Sequence, residues 1–446
     1  MHGRKLRSLW EDSFGPALTR PGLANALVVL SGWVLTQGTH GVTAALIATD
    51  VARRRHWEAF HRFFSRGTWS ADELGRWLFR RIVAHLGDGP MLVVIDDTLA
   101  PKKGPHVFGI GSHLDAVRST KRHRIFTFGH CWVVLAVVVR VPFSKRAWAL
   151  PLLFRLARNL KECEKHRAPY KKKTELAREM IDVLLKWTGA RPVEITADSA
   201  YCNFTVSREL PPHVTLVGAM RPDAVLTALP RPAEGSKAGR PRKRGAVLPK
   251  PEKLAKDTRH PWQTAIAMLY GRRTSVRYKT LVGQWYRAIG TRELRIVIVE
   301  CTTGRLPIRV FFSTDPSFDV VRVLETYALR WGIEVFFRDA KQLLGFADSS
   351  ARKEAAVRRV APLVGLLYTT LVVWMIEGVH ATAIALPPIR PWYRHKRGLA
   401  FADVLRAAQS AIANIDVLDP DSDSGHLHKQ VKRRTPAQQR ALRRAA

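Results

Sequence analysis

A chain with 37 acidic against 73 basic residues spends few carboxylates, and those closing apolar strands are the first place to look for chemistry. MLVVID, residues 91–96, is a short continuous apolar run without helical period, as expected of a buried strand, and it ends on Asp96 and Asp97. PVEITAD ends in the same way on Asp198. Successive strand residues face opposite sides, so only one of Asp96 and Asp97 projects into a given groove. Taken singly, each site also reads as a strand-to-loop turn, where Asp is common.

A third acid changes the weight of the first two. The sequence predicts one long helix from Asp319 to Gly345. With Tyr327 at zero and about 100° per residue, Arg330 falls near 300°, Glu334 near 340° and Lys341 near 320°, a stripe roughly 60° wide and about 21 Å long. Leu329, Ile333, Phe336 and Ala340 lie on the opposite, packing side. An isolated Arg330–Glu334 pair at i,i+4 would be a minor surface contact, but it leaves Tyr327 and Lys341 on the same line without a reason. Three carboxylates from two strands and a helix are what two Mg²⁺ ions need, since such ions take oxygen ligands and activate one oxygen while stabilising another.

These acids must be positioned by a sheet. Two further strands are predicted in RIFTFGHCWVVLAVVVRV and AWALPLLF, then a helix from Thr174 as N-cap to Gly189, then PVEITAD and HVTLVGAM, which together make an α/β sheet. Residues 1–88 read as a separate helical N-terminal domain, suited to DNA binding, with Trp57, Phe60, Phe63 and Phe64 at helical spacing and Ser70 with Glu73 starting a second helix. Residues 89–220 carry the first part of the catalytic core. Residues 221–312 are an insertion, first a lapse in the sheet pattern with the basic run KAGRPRKRGAVLPK, then strands over 280–300 and 308–313. Residues 313–380 hold the helices of the core, and 381–446 a C-terminal region with a basic tail.

The block Y-x2-R-x3-E-x6-K, here Tyr327, Arg330, Glu334 and Lys341 in YALRWGIEVFFRDAKQLLGF, resembles the signature of the IS4-type DDE transposases. FFSTD, IDDT and TADSAY resemble that superfamily's other acidic blocks, and DDTLAPKKG is similar to the IS701-like branch. The resemblance covers roughly residues 90 to 376. It implies an RNase H-like catalytic core, a mixed sheet flanked by helices, with a β-rich insertion between the second Asp and the Glu; 334 − 198 gives a spacing of 136 residues for it. By motif position it makes Asp97, the acid directly before Thr98, a ligand of two Mg²⁺ ions (Mn²⁺ substituting) with Asp198 and Glu334, and it keeps Asp96 as the fallback for Asp97. Tyr327, Arg330 and Lys341 would contact DNA phosphates near the cut. Lys102 and Lys103 would face phosphate as well, and Trp285 or Trp262 would stack a flipped base.

The implied activity is DNA cleavage and strand transfer at insertion-element ends. The alternatives are an endonuclease of the same fold without strand transfer and a catalytically silent DNA-binding protein. The partners are double-stranded DNA, both terminal inverted repeats and target, and a second copy of the chain on that DNA. The charge agrees, since 73 − 37 gives +36, an excess that points to a polyanion, nucleic acid before an anionic membrane surface. Within GRPRKRG, Arg240, Arg242, Lys243 and Arg244 either hook into a minor groove or neutralise phosphates. The longest apolar stretches, Leu23–Leu35, Cys131–Val139 and Val360–Ile376, fall short of a spanning helix, and the last contains Pro362 and Gly365, which suit a buried core. Cys131, Cys163, Cys202 and Cys301 lie far apart with no CxxC pair, which argues against disulfides and a cysteine zinc site. With no apolar signal-type start, the expected setting is the bacterial cytoplasm, on the nucleoid.

Overall fold

The alternation of apolar runs with Gly- and Pro-bearing breaks from residue 91 onward folds as one large mixed sheet. The structure, a computed structural model, describes residues 2–115, 117–120, 122–230, 242–300, 308–379, 398–413 and 415–417. Its contacts divide into two units, one of residues 82–338 and one that joins 1–81 to 339–446.

The discontinuous unit begins with α1 (His2–Phe14), α2 (Arg20–Leu35), α3 (Val42–Ala48), α4 (Glu58–Ser65) and α5 (Ala71–Val83), which crosses into the second unit. Of the four aromatics at helical spacing, Phe60, Phe63 and Phe64 are buried, with Trp69 stacked on Phe63 at 4.9 Å, whereas Trp57 is 55% exposed.

The sheet unit starts with β1 (Met91–Pro101), β2 (Gly111–Leu114), β3 (Phe126–Arg140) and β4 (Ala147–Ala157), followed by α6 (Leu160–Lys165) and α7 (Lys173–Thr188). Helix α7 opens two residues before expected: Lys172 rather than Thr174 takes the cap position, its N–H donating to the Glu175 carboxylate at 2.6 Å, and Gly189 closes the helix at φ 59°. Next come β5 (Val193–Ala197), α8 (Phe204–Ser207), β6 (Val214–Met220), α9 (Pro251–Lys256), β7 (Gln263–Leu269), β8 (Arg272–Gly283), α10 (Tyr286–Ile289), β9 (Leu294–Glu300) and β10 (Ile308–Ser313). β3 is antiparallel to both β1 and β4, whereas β5 lies parallel to β1 and β6 parallel to β5. The strands of the 221–312 stretch continue this same sheet: β10 pairs antiparallel with β6, and β9, β8 and β7 follow outward. β7 and the start of β8 fall where the sequence pattern lapses, because as outer strands they expose most of their residues.

Two expectations about the acids' supports are corrected. β1 does not end at Asp96 and Asp97 but runs to Pro101; its pairing with β5 stops at Ile95, while its pairing with β3 continues to Pro101↔Gly129. The acids thus sit where one neighbour leaves the strand and the other stays. The single helix over 319–345 is two, α11 (Val320–Ala328) and α12 (Trp331–Leu343). Between them the bonds tighten to i→i+3, Arg330 N–H to the Tyr327 carbonyl (3.1 Å) and Ile333 N–H to that of Arg330 (3.1 Å). Gly332 sits at the break because a Cβ there would come within 3.2 Å of the Ala149 backbone nitrogen on β4.

The chain then returns to the first unit with α13 (Glu354–Val379) and α14 (Phe401–Ile412). α13 is long and apolar enough to cross a membrane, but 94% of its most apolar window is buried. It is tied to its own unit by Trp10 Nε1 donating to Thr370 Oγ1 (3.0 Å) and by Arg81 forking onto Glu377 (2.8 and 2.9 Å). Residues 354–379 therefore belong with the N-terminal helices rather than with the sheet.

Candidate active site

The parallel register that pairs Ile95 with Ala197 brings Asp96 and Asp198 side by side on one face, just where β5 leaves β1. Asp198 caps the short turn after β5, its carboxylate accepting the Ser199 N–H at 2.7 Å. Facing them, Arg330 donates through Nη1 to Asp96 Oδ2 at 2.7 Å and through Nη2 to Glu334 Oε1. One guanidinium thus joins an acid of β1 to the acid of α12, in line with its fixed fork of donors. Its Nε is buried without a partner.

Burial pushes the Asp96 carboxyl up to about 7, against the pull of Arg330 and of the Asp97 N–H, with the Asp97 and Asp198 carboxylates adding to the rise. Burial works against the charge of Arg330, yet Asp96, Tyr327 and Glu334 leave its pKa raised.

Asp97 projects from the other face of β1 and is fully engaged there. Its Oδ2 accepts from Lys173 Nζ (2.6 Å) and the Cys131 thiol (3.3 Å), and its Oδ1 from the Tyr201 hydroxyl (2.7 Å). Burial raises the Tyr201 hydroxyl and pushes the Cys131 thiol up to about 12, Asp97 adding to both. The structure therefore brings Asp96, and not Asp97, to Asp198 and to the arginine of Glu334. By motif position Asp97 came first; the strand's alternation puts it on the face of β1 opposite Asp198 and Arg330.

The other expected residues divide. Tyr327 is 5% exposed, its ring in an apolar cluster 4.7 Å from that of Phe311 and 5.9 Å from the Arg330 guanidinium; burial raises the pKa of its hydroxyl, while Arg330 pulls it down and the Asp198 carboxylate adds to the rise, so Tyr327 keeps its place beside Arg330. Lys341 follows Glu334 by seven residues on α12, past the unit boundary. Lys102 is half-buried and Lys103 exposed in the loop after β1. Arg242, Lys243 and Arg244 are exposed, with Arg244 5.5 Å from the Tyr286 ring; Arg240 lies outside the described residues. Trp285 is half-buried edge-on to Phe312 at 5.8 Å, and Trp262 has Arg277 and Lys279 over its ring. Sequence reasoning assigned no role to Lys173, Tyr201 or Cys131, although Tyr201 stands inside the TADSAY block and Cys131 lies two residues from Val133, the β3 partner of Asp97.

A family model described as "DDE superfamily endonuclease" matches residues 13–280. The chain belongs to the DDE superfamily endonucleases. The matched stretch carries Asp96, Asp97 and Asp198 and stops before the helix of Glu334. No curated protein matches this DDE chain. Among solved structures, a piggyBac transposase synaptic complex with hairpin DNA, determined by cryo-electron microscopy, is similar at 9% identity and a TM-score of 0.44 over 96% of this chain and 75% of that one.

The donor set suits a hard divalent cation, for it offers the oxygens of three carboxylates, Asp96, Asp198 and Glu334, beside the single guanidinium of Arg330. Among the described residues no three His, Cys, Asp or Glu side chains converge as a ready metal cage. Arg330 stands between two of the three acids, so a metal would take the place of one arm of its fork.

Proposed function

We propose that this endonuclease is a DNA transposase of the IS4 type, built on an RNase H-like core, which cleaves element-end DNA and joins it to a target. The observation that carries the reading is that Asp96 and Asp198 directly follow the last paired residues, Ile95 and Ala197, of two parallel strands while Arg330 links Asp96 to Glu334. The strand arrangement supports the core: an antiparallel trio β4-β3-β1 continued by the parallel pair β5 and β6 is the order of an RNase H-like sheet.

In this reading Asp96, Asp198 and Glu334 hold the catalytic Mg²⁺ or Mn²⁺. When bound, the ions lower the pKa of the attacking water or 3′-hydroxyl and neutralise charge on the phosphate. Arg330, freed from one carboxylate, presents a bidentate fork to a non-bridging phosphate oxygen. Asp97 takes no part in ligation. Through Lys173 and Tyr201 it pins the start of α7 and the turn after Asp198 to β1, and so fixes the spacing of Asp96 and Asp198. Lys103 and the exposed 242–244 cations meet phosphates further along the duplex.

The test is incubation of the protein with a duplex carrying the inverted repeats that flank its reading frame. Mg²⁺-dependent cuts at the repeat end that leave 3′-hydroxyls, followed by joining to a second duplex, are the expected result. Cuts without joining would reduce the activity to hydrolysis, and binding without cuts would refute the catalytic reading.

A further inference from the structure

The short hairpin of β2 with the first turns of β3 carries Leu114, Phe126 and Phe128 at 47%, 60% and 64% exposure. Leu114 pairs with Phe126, and Ser112 with Phe128, so the three apolar side chains share one face. That face is the one to which Asp96 belongs: Asp96 pairs with Val134, which stands an even number of residues along β3 from both phenylalanines, and the register shows no shift between them. Scattered exposed apolar residues need no explanation, but two adjacent phenyls and a leucine on a hairpin form a patch, and patches of this kind mark interaction sites.

The charge around the patch selects its occupant. Arg118, Arg122 and Arg124 of the connecting loop and Lys103 beside it are exposed. Asp115, the acid of this loop, is turned inward, accepting the Arg118 N–H (3.1 Å) and the Thr127 hydroxyl (3.3 Å). A second copy of so basic a chain would bring like charge to this face. Duplex DNA supplies the complement, phosphates for the cations and, at an opened base step, an apolar slot for the rings.

The register also places the contact. The Lys102 N–H donates to the Phe128 carbonyl at 3.0 Å, and Lys102 lies six residues past Asp96, about 20 Å at strand rise. For a duplex running along β1, that is about six base pairs of B-form DNA. Resting on the reading of Asp96 as a catalytic ligand, we infer that Phe126 and Phe128 form a wedge that unstacks the bound duplex about six base pairs from the phosphodiester being cut.

Duplexes of the flanking inverted repeat with 2-aminopurine placed singly at each position from the cut inward, bound to full-length protein without divalent metal, test this. Wild type should brighten the probe at about the sixth base pair and leave the others quenched. Phe126→Ser/Phe128→Ser should abolish that rise and weaken binding about tenfold, with an unchanged thermal melt, while Phe126→Trp/Phe128→Trp should keep the rise. A flat profile in wild type that nonetheless cuts the repeat in Mg²⁺ would overturn the wedge alone; failure to cut in Mg²⁺ would count against the reading of the acids. DNA-free self-association that the serine variant abolishes would assign the face to a second copy and overturn the proposal.

Discussion

Replacing either of two adjacent aspartates by asparagine should give opposite results. Asp96 is held near 7 in the folded chain against 3.8 as its reference value, a rise of roughly three units, or about 4 kcal/mol at 1.36 kcal/mol per unit. Because the folded value is the higher one, the associated stability is present in full below the unfolded value and is lost as pH rises through 7. Asp96→Asn removes the ionisation, so the metal-free variant should be more stable than wild type by up to about 4 kcal/mol at pH 8, with the gain falling below about 2 kcal/mol at pH 5. Its cleavage rate should nevertheless fall about 10³-fold, since a lost ligand forfeits several kcal/mol of transition-state stabilisation. Asp97→Asn should instead lower stability by about 1 kcal/mol, the scale of a partly exposed ion pair with Lys173, and slow cleavage no more than about tenfold. Thermal melts in EDTA at both pH values, beside single-turnover cleavage in Mg²⁺, read all four quantities. A destabilised Asp96→Asn that still cuts, with an inactive Asp97→Asn, would refute the reasoning and restore the motif's order.

Arg330→Ala should leave Asp96 buried without its cation, lowering the melting temperature at pH 8 more than at pH 5, and should slow cleavage far more than it weakens DNA binding; equal losses of rate and affinity would argue for a general phosphate contact. Gly218→Ala should cost about 1–3 kcal/mol, because its Cβ would fall 2.1 Å from Cys202 Sγ under the turn that carries Asp198, and a wild-type melt would show that the turn relaxes. Deleting 242–244 should flatten the dependence of log affinity on log salt by up to about 2.7, at 0.9 for each phosphate neutralised; an unchanged slope would mean these residues do not touch the backbone.

The strands that build the sheet's centre were legible because they are buried on both faces: β3 carries a long apolar run, and β5 and β6 are short Val-, Ile- and Leu-bearing segments between turn residues. β7 and β8 were not, because outer strands bury little and show no alternation. The residue types of the site were legible, but the choice between Asp96 and Asp97 was not, since it turns on which face of β1 meets β5 and α12, a matter of register between strands about a hundred residues apart. What the angular stripe missed was the break between α11 and α12, because a continuous 3.6-residue helix was assumed through Leu329, where the chain tightens and Gly332 passes close to β4. Nothing local in residues 354–379 distinguishes a helix of the sheet unit from one that joins the N-terminal helices, since both bury an apolar face.

The most direct test of the metal-bearing acids is to load the protein with Fe²⁺ in place of Mg²⁺, add ascorbate and peroxide, and map where the polypeptide itself is cut. The account predicts backbone cuts within a few residues of Asp96, Asp198 and Glu334, all suppressed by excess Mg²⁺ and all lost in Asp96→Asn but kept in Asp97→Asn. Cuts elsewhere, cuts indifferent to Mg²⁺, or cuts that survive Asp96→Asn and vanish in Asp97→Asn would contradict it.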